Sequence, residues 1–312
     1  MFWRRAASFV GTVIVASILI FIATEIAPGD AARFMMGVEA DPVALEALRQ
    51  DLGLNGPPVE RYLRWIFAFL TGDLGISYTY RVPVSDLVLE RLTLSLPLAL
   101  GAMFLSAAIA VPGALLAAKN VGGVRDSATS SAAYLGLAIP NFWLAMLLVL
   151  LFAVTLQMFP AGGFPGWSRP AEAIWALVLP VIALGVPQGA ILLRLLRASL
   201  IDTASQDFMR TARAKGLTEW QALRWHALPN ALIPVLPIIG LQFAFLLGGA
   251  IVVESVFYLP GLGRLVLQAV TQRDLITVKA VVMVFVIIVT FLSFSIDIIS
   301  TWLDPRLRRQ RL

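Results

Sequence analysis

Residues 92–118 read LTLSLPLALGAMFLSAAIAVPGALLAA, with Arg91 before them, Lys119 after them and no charge between. A helix crosses the hydrocarbon core of a bilayer in about 20 apolar residues, so this stretch can span a membrane. Working outward, five further runs lack acidic and basic residues: Ala6–Thr24, Ser127–Ser168, Ala173–Leu193, Trp225–Val253 and Ala280–Ile296. The run from Ser127 ends in QMFPAGGFPGWS (157–168), whose Pro and Gly content marks a loop. That leaves one expected helix over 128–156. The last span is expected to continue past Asp297 to Leu303.

Composition agrees with this reading. The chain is 59% hydrophobic and 14% charged, with mean hydropathy +0.85, whereas soluble domains carry about 25% charge. The expectation is an all-α integral membrane protein with six transmembrane helices, forming a single transmembrane domain over 1–312. A soluble enzyme is excluded. The chain has no cysteine and one histidine, His226. Disulfides, thiolate metal sites and thiol catalysis are therefore ruled out, and no metal site is expected.

Six spans bring both termini to one side. The loops on that side carry 14 basic and six acidic residues, against 10 and 13 on the other. Positive residues stay inside, so both termini are expected in the cytoplasm. The net charge of +5 then reflects topology and not a nucleic-acid surface. The apolar run after Arg4 and Arg5 exceeds a secretory core of about 7–15 residues, which favours an uncleaved first span.

The opposite side holds a long segment, 29–91. Asp41-Pro42 has the form of a helix start, Gly53 of a stop, and Leu45, Leu48 and Leu52 share a face. A second helix, 58–70, gathers Tyr62, Trp65, Ile66 and Phe69 on one side, as an interfacial amphipathic helix does.

The longest cytoplasmic loop, 194–228, is patterned. Thr203-x-x-Gln206 and Thr218-x-x-Gln221 each fit a capping box, Gly216 fits the stop between two short helices, and Pro229 fits the end of the second. Phe208, Met209, Leu217 and Trp220 give this unit apolar anchors. They suit docking into a partner's groove and equally suit packing on the chain's own spans.

At this loop the sequence TARAKGLTEWQALRWHALPNALIP (211–234) resembles the "EAA" loop of bacterial ABC importer permeases. The family pattern is EAA, three residues, Gly, nine residues, Ile-x-Leu-Pro. Gly216 and Leu228-Pro229 fill their places, Arg210-Thr211-Ala212 stand at EAA, and His226 replaces Ile. Such departures typify the peptide/nickel/opine branch. TGDLGISYTYRVPV (71–84), RAKGL (213–217), LLGGAIVVESVFYLPGLGRLVLQAV (246–270) and LDPRLR (303–308) resemble it as well. The resemblance covers nearly the whole chain, and the long segment after the first span points to the first, B-type, permease subunit.

The resemblance implies half of a translocation path for di- and oligopeptides. A second, C-type permease subunit would supply the other half, with two ABC ATPase subunits or domains and an extracytoplasmic substrate-binding protein. Coupling to the ATPase would fall on Phe208, Met209, Arg210, Ala212, Arg213, Ala214, Lys215, Gly216 and Leu217. No Walker A loop surrounds Lys119, Lys215 or Lys279, so ATP and Mg are expected on the partner and no cofactor or catalytic residue on this chain.

Ionisable and amide groups at membrane depth are functional candidates. Asn141, Gln242, Glu254 and Asp297 are the candidates for the path, each weighed against a structural role. His226 suits packing, and Glu254 could pair with Arg264. Alternatives are the same architecture carrying nickel chelates, opines, glutathione or sugars, and an ion-coupled secondary transporter. The latter should show internal repeats and midplane carboxylates, and neither is seen.

Overall fold

In lipid every backbone N–H and C=O must be satisfied within the segment, so apolar runs become helices. The structure, a computed structural model, describes residues 2–26, 41–51 and 56–303. Its helices in order are α1 (Phe2–Ile26), α2 (Pro42–Asp51), α3 (Pro58–Leu70), α4 (Val84–Lys119), α5 (Val124–Ala138), α6 (Asn141–Leu148) with a π-helical continuation Val149–Thr155, and α7 (Pro170–Ala204). They continue with α8 (Asp207–Ala214), α9 (Glu219–Ala222), a π-helical turn Leu223–Ala227, α10 (Leu228–Leu232), α11 (Leu236–Val256), α12 (Leu262–Thr271) and α13 (Leu275–Leu303). Among the described residues there is no strand, only an isolated bridge between Ile76 and Pro83.

Among the described residues five helices, α1, α4, α7, α11 and α13, are long and apolar enough to span. A sixth span requires α5 and the α6 segment to act together across a 95° bend. The single helix expected over 128–156 is therefore broken. Pro140 has no N–H to donate and forces Ile139 out of the helical region, to φ −89°, ψ 116°. Helix α13 continues past Asp297, as expected, and is helical to Leu303, the last described residue. Helix α7 does not stop at Leu193 but continues to Ala204, giving a rod of about 52 Å at 1.5 Å per residue, well beyond the bilayer core.

The chain forms two compact units. The first comprises Met1–Leu94 and Gly261–Phe291, the second Ser95–Pro260 and Leu292–Leu312. In the first unit α3 lies on α1. Tyr62 shares a 2.9 Å hydrogen bond with Ser17, and Phe21 meets the ring of Tyr62 edge-on and stacks on Trp65. The aromatic face expected to rest on the membrane is thus bound by α1. A different stripe, Val59, Leu63, Phe67 and Leu70, is the exposed apolar one. Lys279 sits 5.8 Å from the rings of both Phe21 and Trp65, a cation–π contact, and Arg61 pairs with Glu25. Asp41 receives the Val43 N–H at 3.3 Å at the start of α2. Residues 27–40 and 52–55, with the expected stop at Gly53, lie outside the described residues, as do residues 304–312 and the Leu48 side chain.

One buried carboxylate organises the rest of this unit. Asp274 accepts the hydroxyl protons of Ser77 and Thr277 and the N–H groups of Thr79 and Thr277. It both caps α13 and holds the 77–80 turn. Burial first, and then the Asp274 charge, push the Tyr78 phenol up to about 12.

Candidate functional site

The site is the helical elbow between α7 and α11, in the second unit. It is built outward from α7, whose Leu196 and Leu200 are fully buried. They share an apolar core with Ala114 and Ala118 of α4, Met209 and Ala212 of α8, and Ala222, Leu223 and Ala227 beyond. Ser199 donates to the Ala231 carbonyl at 2.8 Å, which ties the exit of α7 to the return of the chain.

Both arginines that α7 carries past its apolar part are met locally. Arg197 grips Asp126 with two hydrogen bonds, of 2.6 and 2.7 Å. Asp126 also accepts the Gly122 N–H at 2.8 Å and is almost fully buried. Arg194 lies 4.9 Å over the Tyr134 ring, and Lys119 lies 5.9 Å over Trp220. The elbow is therefore fastened to the end of α4 and the start of α5. This fastening explains why α7 does not end where its charges begin.

Helix α8 carries an acid, Asp207, in its first turn and a base, Arg213, in its last, each favourable with the helix dipole. The expected box at Thr203 and Gln206 does not form. Thr203 lies inside α7 and donates to the Ser199 carbonyl, while Gln206 precedes α8 without a side-chain cap. The second box does form: Gln221 N–H meets Thr218 Oγ1 at 3.3 Å, and Thr218 N–H meets Gln221 Oε1 at 3.0 Å. Between them Gly216 has φ +91°. The N–H groups of Gly216 and Leu217 return to the carbonyls of Arg213 and Ala212, at 2.9 and 3.4 Å. This is a Schellman ending, whose left-handed position glycine occupies without penalty. Pro229 does not end the helix that follows. The π turn 223–227 absorbs the mismatch, so Pro229 falls at the start of α10, where its missing N–H costs little.

The elbow has two faces. Met209 and Ala212 point into the core, and Leu217 is half-buried. Phe208, Arg210, Arg213, Ala214, Lys215 and Gly216 are exposed. The open ion pair Arg210–Asp207, at 3.5 Å, contributes little in water. What α8 and the Gly216 turn leave outward is a basic ridge with Phe208, and Trp220 and Trp225 are exposed further along the elbow. Of the two uses open to these residues, inward packing is met by Met209 and Ala212, while Phe208 and the basic residues are left at the surface of the same short helix.

The four path candidates scatter. Gln242 is buried in α11 and donates to the Gln188 carbonyl at 3.2 Å. Glu254 is fully buried and accepts from Ser95 at 2.6 Å. Asn141 is half-buried at the start of α6 against Gly249. Asp297 is on an exposed part of α13. His226 is exposed next to the elbow, and its carbonyl accepts from Asn230. The outward side of α11 is instead an apolar stripe of Pro237, Leu241, Phe245, Gly248 and Val252. Sequence reasoning missed the Asp126–Arg197 pair, whose members are 71 residues apart with no local signal. It missed Asp274 as well, although an Asp three residues before Thr277 is a readable N-cap. Among the described residues no group of three or more His, Asp or Glu converges as metal ligands do.

Comparison with known proteins agrees with this architecture. The family described as binding-protein-dependent transport system inner membrane component matches residues 91–309, and its N-terminal companion matches residues 1–99. A Brucella abortus protein named as a peptide transport system permease is 36% identical over 306 residues, covering 98% of each chain. The glutathione transport system permease protein of Escherichia coli K12 is 35% identical over 305 residues, covering 98% of this chain and 97% of that one. A methionine ABC transporter solved in an inward-facing conformation is similar in fold. Its TM-score is 0.57 at 19% identity, over 70% of this chain and 97% of that one.

Proposed function

The chain belongs to the family of binding-protein-dependent transport inner membrane components, as a multi-pass permease subunit of an ABC importer in the bacterial inner membrane, and we propose that it forms half of a path for di- and oligopeptides. The relatives named for peptide and glutathione transport support that cargo class. Both termini and the elbow face the cytoplasm, and the two units serve one permease domain. The second half of the path is a C-type permease subunit. Two ABC ATPase subunits or domains bind ATP and Mg below it, and a substrate-binding protein delivers cargo from the other side. This chain holds no cofactor and carries out no covalent chemistry.

One observation carries the mechanism: α8 is held from behind and open in front. An ATPase can drive the path only if its contacts differ between inward- and outward-facing states. Phe208, Arg210, Arg213, Ala214, Lys215 and Gly216 offer the contact. Met209, Ala212 and Leu217 pass its movement into the core that α7 and α4 share. With Gln242 held against α7 and Glu254 against α4, the apolar stripe of α11 is the wall that cargo meets. Such a wall has no strong charge preference, so the binding protein and the other subunit select cargo. Purification of the tagged chain in mild detergent tests the assembly. A P-loop ATPase and a second permease should co-purify, and labelled dipeptide should be taken up by vesicles holding the complex. A chain that emerges alone and transports on an ion gradient would refute the reading. Uptake of nickel chelates, opines, glutathione or sugars in place of peptides would refute only the cargo.

A further inference from the structure

At the end of the second unit's spans remote from Gly216, the 157–169 loop and the start of α7 border an open cavity of about 770 Å³. That volume lies within the range of about 300–1,000 Å³ typical of small-ligand sites. Its walls include Pro160, Phe164, Pro165, Trp175 and Ala176. They are set firmly. Phe159 stacks on Trp175 with centroids 4.3 Å apart, and the Trp175 indole donates to the Met158 carbonyl at 3.2 Å. Gly163 N–H meets the Phe257 carbonyl at 2.8 Å. A Cβ on Gly162 would lie 2.6 Å from that same oxygen, so only glycine permits this closure.

The only ionisable wall residue is Glu172, already paired with Arg169 at 2.9 Å. The only other wall side chain with a hydrogen-bonding group is the Trp175 indole, already committed to Met158, so the side chains favour an apolar ligand over a polar one. An apolar chain would lose nothing. The aromatic residues Phe159, Phe164, Trp167 and Trp175 gather at the ends of spans, where such residues sit at headgroup level. The surface leading away along the spans is exposed and apolar at Leu151, Val154 and Ile174. The wall residue Glu172 pairs with Arg169, which lies just outside the lining, so an anion and a cation stand side by side there, both well exposed. A guanidinium has five donors, and one nitrogen of Arg169 is used here.

We propose that this cavity binds a zwitterionic phospholipid: an acyl chain enters among Pro160, Phe164, Pro165 and Trp175, while the phosphate meets Arg169 and the headgroup ammonium meets Glu172. The site is independent of the cargo reading. The test uses the assembled transporter in nanodiscs of phosphatidylethanolamine that carries a photoreactive group at the end of one acyl chain. After irradiation, adducts are mapped by peptide mass spectrometry, with those on residues 150–156 as the internal reference for bulk lipid.

The expected result is enrichment of adducts on residues 160–176 over that reference. Ala171→Trp, which fills the mouth, should cut the enrichment by about tenfold and leave the reference unchanged. In parallel nanodiscs of phosphatidylglycerol with the same photoreactive chain the enrichment should be lower, and Arg169→Ala with Glu172→Ala should remove that difference. Retained reference adducts show that each variant is folded and inserted. Adducts on 160–176 no greater than the reference, or enrichment unaffected by Ala171→Trp, would overturn the proposal.

Discussion

Replacing Gly216 probes the elbow without touching its packing. A Cβ at this position would meet nothing within 4 Å, so no steric clash confuses the outcome. The whole cost lies in the backbone, because φ is +91°. A left-handed residue costs about 1–2 kcal/mol for an ordinary side chain, and β-branching places Val at the upper end. Asn tolerates this region and should cost little. About 2 kcal/mol is roughly a thirtyfold change in the population of a conformer, and typical coupling between two sites is worth only about 1–3 kcal/mol. The penalty for Gly216→Val therefore rivals the coupling itself. It would release the hydrogen bonds from Gly216 and Leu217 to the end of α8 and let that helix turn independently of the core. The assay is ATP hydrolysis by the reconstituted complex, with and without binding protein and cargo. Basal hydrolysis and assembly should persist in all variants. Stimulation should be near normal in Gly216→Asn, reduced in Gly216→Ala and largely lost in Gly216→Val. Equal damage by Asn and Val, or full stimulation in Val, would refute the argument that the left-handed elbow transmits the motion.

Other residues give sharper stability readouts. Asp126→Ala leaves Arg197 without its carboxylate. The loss of a buried partner approaches about 3–5 kcal/mol, but Arg197 keeps partial access to water, so about 2 kcal/mol is expected, seen as a lower Tm in detergent; an unchanged Tm would remove the pair from the account. Asp274→Ala should cost about 1 kcal/mol for the lost cap and about 1–3 kcal/mol for the donors of Ser77 and Thr79 left unmet. Faster proteolysis within residues 77–80 would report it. The Tyr78 phenol holds its proton more tightly in the folded state than its ordinary value of 10.0, up to about 12. Its contribution is therefore complete below about pH 10 and lost as pH rises towards about 12. Alkaline unfolding should show a loss of stability over that window that Tyr78→Phe removes.

The spans were legible because a run such as residues 92–118 has one viable structure in lipid. Thr218, Gln221 and Gly216 were legible because a cap and a stop are local events. The break at Pro140 was present in the sequence too, but a reading by apolar length alone passes over it. The extension of α7 was not legible, since it depends on Asp126, 71 residues away. The inward turn of Gln242 and Glu254 was hidden for a different reason. Helix α11 is apolar on nearly every side, so periodicity names no face and only packing decides which residues are enclosed. On α8 charge and apolar residues alternate strongly enough to suggest two faces. Which one belongs to the protein's own core required α7 in place behind it.

The absence of cysteine allows the central claim to be tested by single introduced thiols. Phe208→Cys, Arg213→Cys and Met209→Cys would each be placed in the assembled transporter and treated with a short thiol cross-linker, in the presence and absence of ATP. The thiols at 208 and 213 should join this chain to the ATPase, with a yield that changes with nucleotide, and the thiol at 209 should not. ATPase cross-links from 209 as strong as those from 208, or none from 208 and 213 in a complex that still contains the ATPase, would contradict that claim.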